Sequence, residues 1–246
     1  MTVWSVRTLN RDRIILLAGA AGITTVAWLW IVRMAAGHAR MALNLGALFA
    51  MWAVMMVAMM LPSTLPFVFV FRAEQLHRHA KRASMTPVGF IVAGYFTVWV
   101  VFSAVCAALQ HFLHQKSLLS PMMSAASPVV AGAILIAAGV YQWTPMKNAC
   151  LRHCRSPLTF LLSDWHEGAA GAFRMGADHG LFCVGCCWML MLLPFAAGVM
   201  NLLWMAAITV LLLLEKAAPG GEMTARVCGA LLALVGVSVI WFGVTL

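Results

Sequence analysis

Seven apolar runs follow one another along the chain, at about 14–32, 42–61, 88–109, 128–143, 181–200, 202–214 and 226–245, and they restrict the fold more than any other feature. A helix that crosses a bilayer needs about 20 apolar residues, and backbone in hydrocarbon must satisfy its own hydrogen bonds, which limits the choice to helices or closed barrels. The runs are long and lack two-residue alternation, so they read as helices. Composition agrees: 63% of residues are apolar, 9% are charged and the mean hydropathy is +0.94. A soluble domain has about 45–50% apolar residues and about a quarter charged, which excludes that class. The expected fold is all-α, a polytopic transmembrane bundle of about seven spans forming a single integral membrane domain over residues 1–246. The fourth and sixth runs are short, and six spans plus a buried half-helix is the alternative.

A net charge of +9 in a soluble protein would suggest a nucleic-acid partner. Here the charges lie between the runs, so the expected surroundings are a lipid bilayer and no nucleic acid. If the N-terminus is cytoplasmic, all but three of the 16 Lys and Arg fall on the cytoplasmic side, and Arg33, Arg40 and Lys116 fall opposite. This asymmetry predicts a multi-pass protein with its N-terminus inside and Leu246 outside. The first run exceeds the roughly 7–15 apolar residues of a signal peptide and is closed by Arg33, so it reads as an anchor. Pro62, Pro66 and most other prolines mark span ends or loops, whereas Pro194 lies inside the fifth run and predicts a kink.

The longest connection, 144–180, is predicted to be a cytoplasmic loop between the fourth and fifth spans. Links in compact helical bundles are usually about 2–8 residues, so this one needs a reason. Five of the seven cysteines lie in or beside it, as Cys150-x3-Cys154 and Cys183-x2-Cys186-Cys187. Cys106 and Cys228 lie within apolar runs and read as small buried thiols. A reducing cytoplasm disfavours a disulfide framework. On a helix, Cys150 and Cys154 share a face, and His179, Cys183, Cys186 and Cys187 form one stripe at the mouth of the fifth span. Two thiol groups from two segments, with His179 and His153 as spare nitrogens, supply the soft donors that Zn²⁺ or Cu(I) prefers. The expected metal ligands are Cys150, Cys154, Cys183, Cys186, Cys187 and His179.

Eighteen methionines bear on which metal it is. Met51, Met55 and Met59 recur every four residues in the second run, with Met56 and Met60 beside them. Thioethers bind Cu(I) and bind Zn²⁺ poorly, so Cu(I) is favoured over Zn, although methionine is also an ordinary filler of apolar packing. The tryptophans read as interfacial anchors, and His77, His79, His111 and His114 as interfacial residues. Glu215-Lys216 closes the sixth run, and the acid reads either as simple interfacial termination or as a group that relays protons or coordinates a cation. No familiar hydrolase, nucleotide-binding or metalloprotease motif is present, which favours a binding protein over an enzyme.

Four blocks, running from Met51 to Ser63, Tyr141 to Cys154, Gly180 to Trp188 and Gly198 to Lys216, resemble the bacterial family of predicted metal-binding integral membrane proteins. The resemblance implies a helical protein of the bacterial inner membrane with a metal site at the cysteines of the second and third blocks. Two functions remain open. One is a handler of a soft ion such as Cu(I), binding, delivering or transporting it at a cytoplasmic-side Cys/His site, with a metallochaperone or metalloenzyme as partner. The other is a membrane thiol-disulfide oxidoreductase using Cys183 and Cys186, since such a pair can exchange with a partner thiol or quinone.

Overall fold

The computed structural model describes residues 3–35, 44–79, 85–117, 119, 127–218 and 220–244. Among them are nine helices and no strand: α1 (Val3–Ala35), α2 (Leu45–His79), α3 (Gly89–Gln115), α4 (Pro128–Tyr141), α5 (Pro145–Arg155), α6 (Pro157–Ser163), α7 (Gly168–Ala197), α8 (Leu202–Ala217) and α9 (Gly221–Val244). Local chemistry sets several boundaries. Ser127, Thr144 and Asn201 each accept a hydrogen bond from the backbone N–H two or three residues on, at the starts of α4, α5 and α8. Proline fills the first position of α4, α5 and α6, where its missing N–H costs nothing. Gly198, at φ +99°, ends α7.

Each predicted run is helical over most of its described residues, but the expectation of seven spans is not matched. Five helices, α1, α2, α3, α7 and α9, are long and apolar enough to cross a membrane, and α4 with α5 makes a sixth if the pair is counted as one span bent by 64°. The 16 residues of α8 rise only about 24 Å, less than the roughly 30 Å of a hydrocarbon core. The long apolar helices, with Ile14, Val26, Val105, Leu234 and Trp241 on their outer faces, are compatible with a multi-pass membrane protein.

Two other expectations change. Pro62 and Pro66 lie inside α2, which continues to His79. Beyond them Phe67 and Phe71 are buried, packing with Ile91, Phe160, Leu161 and Met175 in a second core, so tertiary burial offsets the lost backbone bonds. The predicted loop over 144–180 is largely helical: it contains α5, α6 and the first turns of α7. The last of these are held by close backbone packing against α3. A Cβ on Gly94 would overlap the carbonyl oxygen of Phe173, and one on Gly176 would overlap that of Ile91. Gly180 lies against Tyr95 and Val98, so α3 and α7 run parallel. Helix α4 meets α9 in the opposite sense, Gly132 facing Gly236 and Gly139 facing Gly229. Small residues that let backbones approach are the usual basis of helix association in lipid.

Candidate metal centre

Helix α7 begins at Gly168, before the predicted fifth span, so its cysteine-bearing segment lies in the middle of the helix. Cys183, Cys186 and Cys187 are buried there, facing the main core. Helix α5 brings the second cysteine segment across this surface. Thr144 caps it, and Tyr141, at the end of α4, donates a hydrogen bond to the carbonyl oxygen of Gly185. Gly185 is needed for this approach, because a Cβ there would stand 2.7 Å from Cys150 Sγ. A turn further along α5, Cys154 Sγ lies 3.9 Å from Cys186 Sγ.

Cys154, Cys183 and Cys186 have all their sulfurs within 4.8 Å of one another. Three sulfurs around one ion with about 2.3 Å bonds stand about 4 Å apart, so the cluster needs only small side-chain movements to close on a metal. Of the other three expected ligands, Cys150 packs over Gly185, and Cys187 donates to the Cys183 carbonyl oxygen at 2.9 Å from one turn further on. His179 is buried one turn before Cys183, its ring stacked on Phe67 at 3.9 Å and its Nδ1 without a hydrogen-bond partner. His153 stacks on Phe182. Cys106 is buried and Cys228 half-buried, both outside the three-sulfur group.

Of the polar groups at the centre, Glu215-Lys216 was singled out from the sequence as a span end, whereas Ser63, Tyr95, Gln142 and Lys147 were given no role. Cys183 Sγ lies 3.0 Å from Tyr95 Oη and accepts from Lys216 Nζ at 3.0 Å. The same ammonium donates to Ser63 Oγ on α2 at 3.0 Å. A bound monovalent ion with three thiolates would carry a net charge of −2, and Lys216 offsets part of it. Beside it, Lys147 and Glu215 form a 2.7 Å ion pair with both side chains fully buried, and Gln142 bonds both partners. The available signal was rarity: the chain has two tyrosines, Tyr95 and Tyr141, and both reach this region. Charged residues that interrupt apolar runs are likewise functional candidates by default.

The donor set is thus soft, buried, assembled from two helices and balanced by a cation. No curated protein and no solved structure shows significant similarity to the chain. A family model does match, over residues 49–239, which include every residue of the cluster and its polar surround. That match covers most of the sequence, and the chain belongs to the PpoB2 copper chaperone family.

Proposed function

We propose that this protein is a multi-pass membrane copper chaperone that takes Cu(I) at Cys154, Cys183 and Cys186 and delivers it to a membrane or extracytoplasmic metalloenzyme. The observation that carries the reading is the meeting of these three sulfurs, from two separate helices, within 4.8 Å. Three thiolates suit Cu(I), a soft ion that accepts low coordination, better than Zn²⁺, whose structural sites take four ligands. Cys150, Cys187 and His179 stand close by as auxiliary ligands for entry and exit of the ion.

The lengths of the helices support access from one membrane side. The 14 residues of α4 and 16 of α8 rise about 21 and 24 Å and end beside Gly185 and Cys183. The cluster therefore lies near one boundary of a roughly 30 Å core. At that end α5 and α7 carry Arg152, Arg155 and Arg174, and this positive charge supports the reading that it is the cytoplasmic side of a bacterial inner membrane, with the N-terminus inside. A cytoplasmic donor then needs to cross little of the bilayer to reach the cluster.

Elemental analysis of anaerobically purified, reduced protein tests the reading. Stoichiometric copper is expected in the wild type and in Cys228→Ser, and its loss in Cys183→Ser. Chelation should increase the number of reactive thiols. A wild-type protein that holds no copper, or thiols that respond to reductant and not to chelator, would overturn it.

A further inference from the structure

The cluster lies at one end of a longer line of sulfur. On α7, Cys183, Cys187, Met191 and Phe195 recur every four residues, and all four are buried. On α2, Trp52, Met56, Met59 and Ser63 are spaced four, three and four residues apart and so share one face. Two contacts connect these faces, one through Lys216 of α8 and one direct. At one end Lys216 bridges Ser63 Oγ and Cys183 Sγ. At the other, Trp52 stacks on Phe195 with ring centroids 5.4 Å apart. The two helices run oppositely between these ends, and the intervals match: Ser63 to Trp52 rises about 16 Å and Cys183 to Phe195 about 18 Å.

Between those two contacts the two faces carry Met56 and Met59 from α2 and Cys187 and Met191 from α7, each no more than 1% exposed. All four belong to one packed core. Met51 and Met55, on the flank of the shared face, are also buried, so burial alone does not separate a sulfur pathway from packing. What stands beside burial is position: sulfur-bearing residues recur on both faces between the two contacts that connect them.

We propose that Cys187, Met191, Met59 and Met56 form a relay along which Cu(I) moves between the three-sulfur cluster and the opposite end of the bundle at Trp52 and Phe195. The proposal rests on the copper reading above and adds passage through the membrane to it. Movement is by ligand exchange: a new sulfur–copper bond forms as an old one breaks, and copper stays monovalent. Cys187 is the first step, one turn beyond Cys183. The thioethers that follow are neutral and bind Cu(I) more weakly than thiolates, so they release it onward to a stronger acceptor. The Trp52 and Phe195 stack closes the far end, and the bond from Trp52 Nε1 to Gln110 Oε1 at 2.7 Å holds the indole in place.

The full chain in liposomes enclosing a Cu(I)-sensitive dye tests this, with Cu(I) supplied outside as a soluble thiol complex. The wild type should bind copper and pass it to the lumen. Met56→Leu combined with Met59→Leu and Met191→Leu should bind the same amount at the cluster and pass no more than protein-free vesicles. Transfer by this variant at the wild-type rate overturns the relay, as does a wild type that loads copper without passing it. A wild type that does not load overturns the copper reading itself, which distinguishes the two failures. Should the triple variant misfold, selenomethionine-labelled wild type given two equivalents of Cu(I) decides the matter by X-ray absorption. Selenium bonded to copper is expected, and copper with sulfur neighbours alone overturns the proposal.

Discussion

Glu215→Ala is expected to destabilise the protein by about 3–5 kcal/mol, because it leaves the buried Lys147 ammonium without its counter-charge. Lys147 and Glu215 are 0% and 1% exposed, so water cannot replace the lost carboxylate. The effect should extend to copper. Glu215 ties the end of α8 to α5, and its carbonyl oxygen accepts from Arg155 Nη1 at 2.6 Å. The next residue, Lys216, points to the other side of the helix and contacts Cys183 and Ser63. Loosening this end moves Lys216 from the cluster, so copper content should fall along with the unfolding temperature in detergent. The double variant Lys147→Met with Glu215→Leu separates charge from shape. Replacing both buried charges with apolar groups of similar size is often neutral or stabilising, so the double variant should recover most of the loss. If Glu215→Ala unfolds at the wild-type temperature, the ion pair does not hold α8 against α5.

Gly176→Val is expected to have an effect at least as large, about 3 kcal/mol or more, because the new side chain meets backbone and not a movable side chain. A Cβ at this position overlaps the Ile91 carbonyl oxygen, and neither helix has a rotamer that relieves it. Helices α3 and α7 must separate, and with them the contact of Tyr95 Oη with Cys183 Sγ. Loss of folded protein by size-exclusion chromatography, or folded protein with reduced copper content, is the expected outcome. Gly22→Val is the control. Nothing lies within 4 Å of a Cβ at Gly22 in α1, so that change should leave both folding and copper binding near wild type. Equal tolerance at Gly176 and Gly22 would show that the close crossing of α3 and α7 is not required.

Elements whose signal is local were legible in the chain. Apolar runs such as 88–109 and 226–245 match α3 and α9 over nearly all of their described residues, because in lipid a helix satisfies its backbone from within and little else competes. Helical spacing placed Cys183, Cys186 and Cys187 together for the same reason. The length of α2 was not legible. Pro62 and Pro66 signal an end, and only burial of Phe67 and Phe71 under α6 and α3 carries the helix past them. Nor were the bounds of α5 and α6 legible, since helices of 11 and seven residues take their stability from the surface they cover.

The distinction is sharpest at the sulfurs. By itself the sequence determined that this chain is all-helical and apolar enough for a bilayer, and that two cysteine groups and a methionine-rich helix were available for a soft metal. Those properties depend on residues within a turn or two of each other. Tertiary structure alone decided that Cys154 meets Cys183 and Cys186 while Cys150 packs over Gly185, and that Lys216 on α8 reaches the cluster. It also decided that the face of α2 turned to α7 runs through Met56 and Met59, where regular spacing had suggested Met51, Met55 and Met59. The reason is rotational: periodicity defines every stripe on a helix equally well, and which stripe faces a partner depends on contacts made by residues more than a hundred positions away.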